Sequence, residues 1–88
     1  MITREYIITS AQGIHARPAT TLIRLTKSYK SVISIKKTDK IVRLNSILNI
    51  LSMAIKGGET ITILIEGDDE TIAAEAFDHF FNEELKAL

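Results

Sequence analysis

The chain has 88 residues, zero net charge and no cysteine, which leaves room for a single domain, 1–88, and excludes a disulfide framework. With 45% hydrophobic and 25% charged residues, it has the balance of a self-folding globule, unlike a disordered tail or a fibre. The charged first residues, and the lack of any apolar run near ~20 residues, point away from secretion and membrane insertion; the absence of cysteine fits a reducing cytoplasm.

Met1 to Thr9 alternates, with Ile2, Tyr6 and Ile8 on one side and Thr3, Glu5 and Ile7 on the other, and so predicts a strand buried on one face. After Gly13, residues Ala16 to Tyr29 place Ala19, Leu22, Ile23 and Thr26 at helical spacing with Pro18 in the first turn, predicting a helix. Two β-branched runs, Ser31 to Lys37 and Lys40 to Leu44, predict a hairpin turning at Thr38-Asp39. Asn45-Ser46 offers a cap for a short helix that carries Ile47, Leu48, Ile50, Leu51 and Met53 and ends before Gly57-Gly58. Glu59 to Glu66 predicts the strongest strand, with Ile61, Ile63 and Ile65 on one face. A last helix follows Gly67, with an aspartate cap and a buried side of Ile72, Ala73, Ala76, Phe77, Phe80 and Phe81. The order βαββαβα predicts an α+β fold, one sheet with helices covering one face.

Charge is unevenly placed: residues 1–44 hold nine Lys/Arg against two Asp/Glu, and residues 45–88 hold two against nine. The halves attract each other, so most of this charge reads as solvated surface, while the basic half also suits an acidic partner.

The segment Gly13-Ile14-His15-Ala16-Arg17-Pro18-Ala19 puts a histidine at the last position before the first helix. Helix starts expose unpaired amides and the positive end of the dipole, which suit an oxyanion bonded to the His15 ring. The dipole favours a neutral ring, whose nitrogen lone pair can attack phosphorus. Arg17 adds a forked cation suited to phosphate. Ala16 supplies a first-turn amide, and Pro18 pre-sets the turn. A lone surface histidine would carry little meaning, but here glycine, histidine, arginine and proline meet at one helix start.

On these residues the chain resembles the HPr family, the histidine-containing phosphocarriers of the bacterial phosphoenolpyruvate-dependent sugar phosphotransferase system. The family motif G-[IL]-H-A-R-P-A is reproduced from Gly13 to Ala19 without a change, and length, element order and Asn45-Ser46-Ile47 agree as well. The resemblance implies an open-faced β-sandwich with a four-stranded antiparallel sheet. It also implies that His15 accepts phosphate from phosphorylated enzyme I and passes it to a sugar-specific enzyme IIA. Ser46 stands at the family's regulatory serine; in some relatives a dedicated kinase phosphorylates it and the product binds a catabolite-control repressor. Independently of that, Ser46 is a natural N-cap.

Ile47, Leu48 and Leu51 cannot all face inward on so short a helix, so they predict an exposed docking patch, with Ile50 and Met53 as core. Thr20, Arg24 and Lys27, on the exposed side of the first helix, would extend it with positive charge. Asn49 and Ala54 stand where the family usually has glycine, and Leu48 and Leu51 where it has methionine, a more adaptable contact residue. These departures leave open a nitrogen-related or catabolite-repression paralogue, although the regulator-only class typically lacks the histidine.

No metal or cofactor is expected. The acids Glu66, Asp68, Asp69 and Glu70 lack EF-hand spacing and read as helix capping plus solvated charge, and His79 reads as a surface residue. A small nucleic-acid-binding module is the rival from another class, prompted by the basic half and Lys36-Lys37. It lacks a G-x-x-G loop or an RNP-like strand. With no P-loop and little chain for a deep pocket, the protein reads as a carrier charged and discharged by others, not as an enzyme.

Overall fold

The computed structural model describes residues 1–88. Its elements run β1 (Ile2–Ile7), α1 (Ala16–Thr26), β2 (Val32–Lys37), β3 (Lys40–Arg43), α2 (Ile47–Leu51), β4 (Thr60–Glu66) and α3 (Glu70–His79), followed by a π-helical turn, Phe80–Glu84, and a 3-10 turn, Leu85–Ala87. This is the expected βαββαβα order. The strands form one antiparallel sheet in the order β1-β4-β2-β3, so the last strand in sequence is inserted between the first two.

Side chains alternate across a strand, and here one face is covered and the other open. Tyr6, Ile33, Ile35, Ile61, Ile63 and Ile65 are buried under the helices, whereas Ile7, Val32 and Ile41 on the opposite face are exposed. Leu22 and Ala19 of α1, Ile50 of α2, and Ala73, Ala74 and Phe77 of α3 complete the core. Phe81 stacks on Tyr6 at a centroid distance of 4.4 Å and meets Phe80 edge-on at 5.1 Å. The Tyr6 hydroxyl donates to Asp78 of α3. Burial, followed by that bond, pushes the phenol's pKa up.

Three expectations are corrected. The first helix stops at Thr26, three residues before Tyr29, because the Ser28 and Tyr29 amides reach back only three residues, to the Leu25 and Thr26 carbonyls. Ile72 is 61% exposed; it lies one residue, ~100° of helix rotation, from buried Ala73. The core side of this segment is instead extended by the π-helical turn, in which the Leu85 amide donates to the Phe80 carbonyl. That wide turn directs Phe80, Phe81 and Leu85 inward together. Asp69, finally, stands at the N-cap of α3 but makes no capping bond.

Asp69 instead ties two turns together. Its carboxylate accepts from the Lys30 amide at 2.7 Å, from the Ser31 amide at 3.0 Å and from the Ser31 hydroxyl. Gly67 makes the approach possible, since a Cβ there would lie 2.7 Å from Ser31 Cα. The Gly67 amide itself is held by Glu70 at 3.1 Å.

The Ser31 hydroxyl, followed by the Lys30 amide, holds the Asp69 pKa below the usual aspartate value. A depressed carboxylate contributes stability that is complete above its unfolded pKa of ~3.9 and disappears as pH falls through the lower folded value. Thermal melting as a function of pH should therefore show a decline setting in below about pH 4, and Asp69→Asn should be less stable at neutral pH and decline less steeply. Parallel curves for parent and variant would mean that Asp69 is not a source of the acid sensitivity.

Candidate functional site

His15 occupies the N-cap of α1 in extended conformation. The geometry that puts it there begins at Gly13, with φ +69°, in the left-handed region where a side chain is strained. A Cβ at Gly13 would fall 2.1 Å from the Ile55 carbonyl oxygen, and the Ile14 amide donates to that same oxygen at 3.0 Å. Backbone-to-backbone contact with the α2–β4 connection thus sets the loop leading into His15. Ile14 is buried directly beside it.

The first intrahelical bond runs from the Ala19 amide to the His15 carbonyl at 3.1 Å. The Ala16 and Arg17 amides precede it and, like the first amides of any helix, have no partner within the helix; Pro18, the next residue, has no N–H to orphan. An N-cap side chain ordinarily accepts from these amides, but His15 makes no such bond. Its Nδ1 is buried and has no hydrogen-bond partner. An unpartnered ring nitrogen on a half-buried histidine at a donor-rich helix start can accept an electrophile whose oxygens then take the amides' hydrogen bonds. Arg17 is exposed and is in no ion pair, so its guanidinium is available to an incoming anion.

Ser46 caps α2, its hydroxyl accepting from the Asn49 amide at 3.4 Å. The Asn49 side chain adds a bond to Asn45 Oδ1, also at 3.4 Å, across the same helix start. Leu48 is 77% exposed, Ile47 and Leu51 are each 36% exposed, and Ile50 and Met53 are buried. Thr20, Arg24 and Lys27 lie exposed along α1, which packs beside α2, so the basic and apolar rows belong to adjoining helices. One of their polar groups is already engaged, as Thr20 donates to the Ala16 carbonyl at 2.8 Å; Lys27, the C-cap residue of α1, uses only its backbone amide there.

Sequence reasoning missed what holds the far end of α2. Lys37 Nζ donates to the Met53 carbonyl at 3.0 Å and to the Ala54 carbonyl at 2.9 Å, and pairs with Glu59 at 3.1 Å. Ala54 sits at φ +50°, a left-handed position that costs a non-glycine residue about 1–2 kcal/mol. No local pattern in the sequence points from this position to a lysine 17 residues away.

A family model described as the phosphotransferase-system HPr component phosphorylation site matches residues 2–83. The chain is 37% identical over 76 residues to the phosphocarrier protein HPr of Lysinibacillus sphaericus, covering 86% of each. It is 36% identical over 84 residues to the HPr-like protein Crh of Halalkalibacterium halodurans, covering 96% of this chain and all of that one. Among solved structures, a Mycoplasma histidine-containing phosphocarrier protein superposes with a TM-score of 0.88 at 36% identity, over 97% of this chain and 98% of that one. With the matched model spanning nearly the whole domain and the fold in agreement, the chain belongs to the HPr family of phosphocarrier proteins.

Proposed function

We propose that this protein carries a phosphoryl group on His15, taken from phosphorylated enzyme I and delivered to a sugar-specific enzyme IIA. The observation that carries the reading is the buried, unpartnered Nδ1 of His15 at the start of α1. The ring lone pair attacks phosphorus, an N–P bond forms, and the donor's bond to phosphorus breaks with its electron pair returning to the donor. Delivery reverses these roles with the acceptor as nucleophile. Because Nδ1 is buried, the ring turns toward the docked partner before attack there. Once transferred, the phosphoryl oxygens accept from the Ala16 and Arg17 amides and from the Arg17 guanidinium, as charge-assisted bonds.

Incubation with phosphoenolpyruvate and enzyme I should add one acid-labile phosphoryl group to the intact mass, and His15→Ala should abolish the gain while keeping the fold. Arg17→Ala should slow transfer by about 10²-fold without eliminating it, because the amides remain. Labelling of the His15→Ala protein would sink the assignment, and an unchanged rate would remove Arg17 from it.

Docking rests on Ile47, Leu48 and Leu51, flanked by Thr20, Arg24 and Lys27, against a partner with an apolar centre and an acidic rim. Leu48→Ala and Leu51→Ala should weaken enzyme I or IIA binding with a melting cost well below the ~2–5 kcal/mol of a core leucine truncation. A large melting loss with intact affinity would transfer these residues to the core.

Ser46 is the proposed regulatory residue, a substrate for a dedicated kinase and phosphorylase whose product binds a catabolite-control repressor. A second reading, a regulatory Crh-like paralogue, draws on the similarity to Crh; the intact Gly13-to-Ala19 segment favours the carrier. In either reading the protein acts in the cytoplasm, without contacting nucleic acid directly and without a cofactor. Ser46→Asp should leave melting unchanged or slightly raised, since negative charge suits a helix start. The initial rate of His15 phosphorylation should nonetheless fall, because the new charge meets an acidic rim. An undiminished rate, or a loss accounted for by unfolding, would reduce Ser46 to its capping role.

A further inference from the structure

A cavity of about 260 Å³ opens between the last turn of α1, the turn into β2 and the end of β3. Its wall carries Lys27, Lys30 and Arg43, together with Tyr29, Leu44 and Asn45, and contains no carboxylate. None of the three cations is in an ion pair; the molecule's ion pairs involve only the N-terminus, Arg4 and Lys37 on the positive side. The carboxylate adjoining this wall in the chain's bonding, that of Asp69, is already engaged by the Lys30 amide and by the Ser31 amide and hydroxyl.

The negative end of the α1 dipole also lies here, but it does not reverse the sign. The Leu25 and Thr26 carbonyls accept from the Ser28 and Tyr29 amides, and that of Ile23 from the Thr26 hydroxyl. A helix end amounts to roughly half a unit charge, against three full cations. Asp69 also fixes the position of the Lys30-Ser31 wall, so the cavity does not depend on a free loop.

We propose that this cavity binds a small organic phosphate, a phosphomonoester with a short hydroxyl-bearing body. Lys27, Lys30 and Arg43 meet the dianion, with Arg43 suited to forked contact. Tyr29 and Leu44 supply an apolar wall, and the Asn45 amide nitrogen offers a donor to a hydroxyl. At roughly 30 Å³ per water, the cavity has room for several waters' worth of ligand, which suits a metabolite and not a protein segment. The site is separate from the His15 start of α1, since it lies at the opposite end of that helix. Occupancy would neutralise Lys27, and so would reach the basic row of α1 from a ligand that never touches His15.

Amide-resolved NMR titration of the full chain with glycerol 3-phosphate, inorganic phosphate and glycerol tests this. Glycerol 3-phosphate should shift the Lys30, Ser31, Leu44 and Asn45 amides saturably and more tightly than inorganic phosphate, and glycerol should not shift them. Arg43→Gln and Lys30→Gln should each weaken binding about threefold to fivefold, as expected for exposed charges. Shifts confined to residues 13–19 would place the anion at His15 and overturn the site. Equal affinity for inorganic phosphate would overturn the organic body, and linear, unsaturable shifts insensitive to Arg43→Gln would reduce the effect to ionic screening.

Discussion

The structure depends on β4 entering the sheet between β1 and β2. Its alternate residues Ile61, Ile63 and Ile65 are nearly free of solvent contact, and Thr62, Ile63, Leu64 and Ile65 pair on both sides, as Ile63 does with Arg4 and Ile35. Without β4, the first strand has no partner and the β2–β3 hairpin has one free edge more, a two-stranded unit that is marginal in water. Because the other sheet face stays open, the helices must deliver all of the burial from one side. That one-sided arrangement also decides where chemistry can occur: loops leaving the covered face are pressed against helix ends.

The His15 loop is an instance of such pressure. Gly13 lies against the Ile55 carbonyl so closely that no side chain fits, and the segment after α2 is in turn held by Lys37 and by Glu59, which accepts from the Lys56 amide at 2.6 Å. The candidate nucleophile and the candidate docking helix therefore share one support. A disturbance of the α2–β4 connection reaches both, even though neither lies on that connection.

Much of this was legible in the sequence because it is local. Strand alternation, the Thr38-Asp39 turn, the Ser46 cap and the helix start after His15 are each written within a few neighbouring residues, and the structure contains all of them. The motif from Gly13 to Ala19 also carried the family. What could not be read is long-range competition for a polar group. Asp69 has the chemistry of a cap, yet Ser31 and Lys30, far away in sequence, take its carboxylate. Tyr29 fits a helical stripe, but the chain must turn there to reach β2. Ile72 is apolar enough for a core, and only the packing of Ala73 and Phe77 determines that it faces out. The vacant Nδ1 of His15 likewise has no signature in composition or spacing.

The strand order gives the uneven charge of the chain a spatial meaning. The hairpin β2–β3, with Lys36, Lys37, Lys40 and Arg43, forms one edge of the sheet, while the acidic α3 lies over β1 and β4 toward the other. The molecule is therefore electrically neutral but polarised from side to side. A neutral body exerts little pull at long range, and at physiological salt fields fade within ~8 Å. Its charges act late in an encounter, as a torque that turns the basic side toward an acidic surface once the two bodies nearly touch. Selection among partners then rests on orientation at contact more than on speed of arrival.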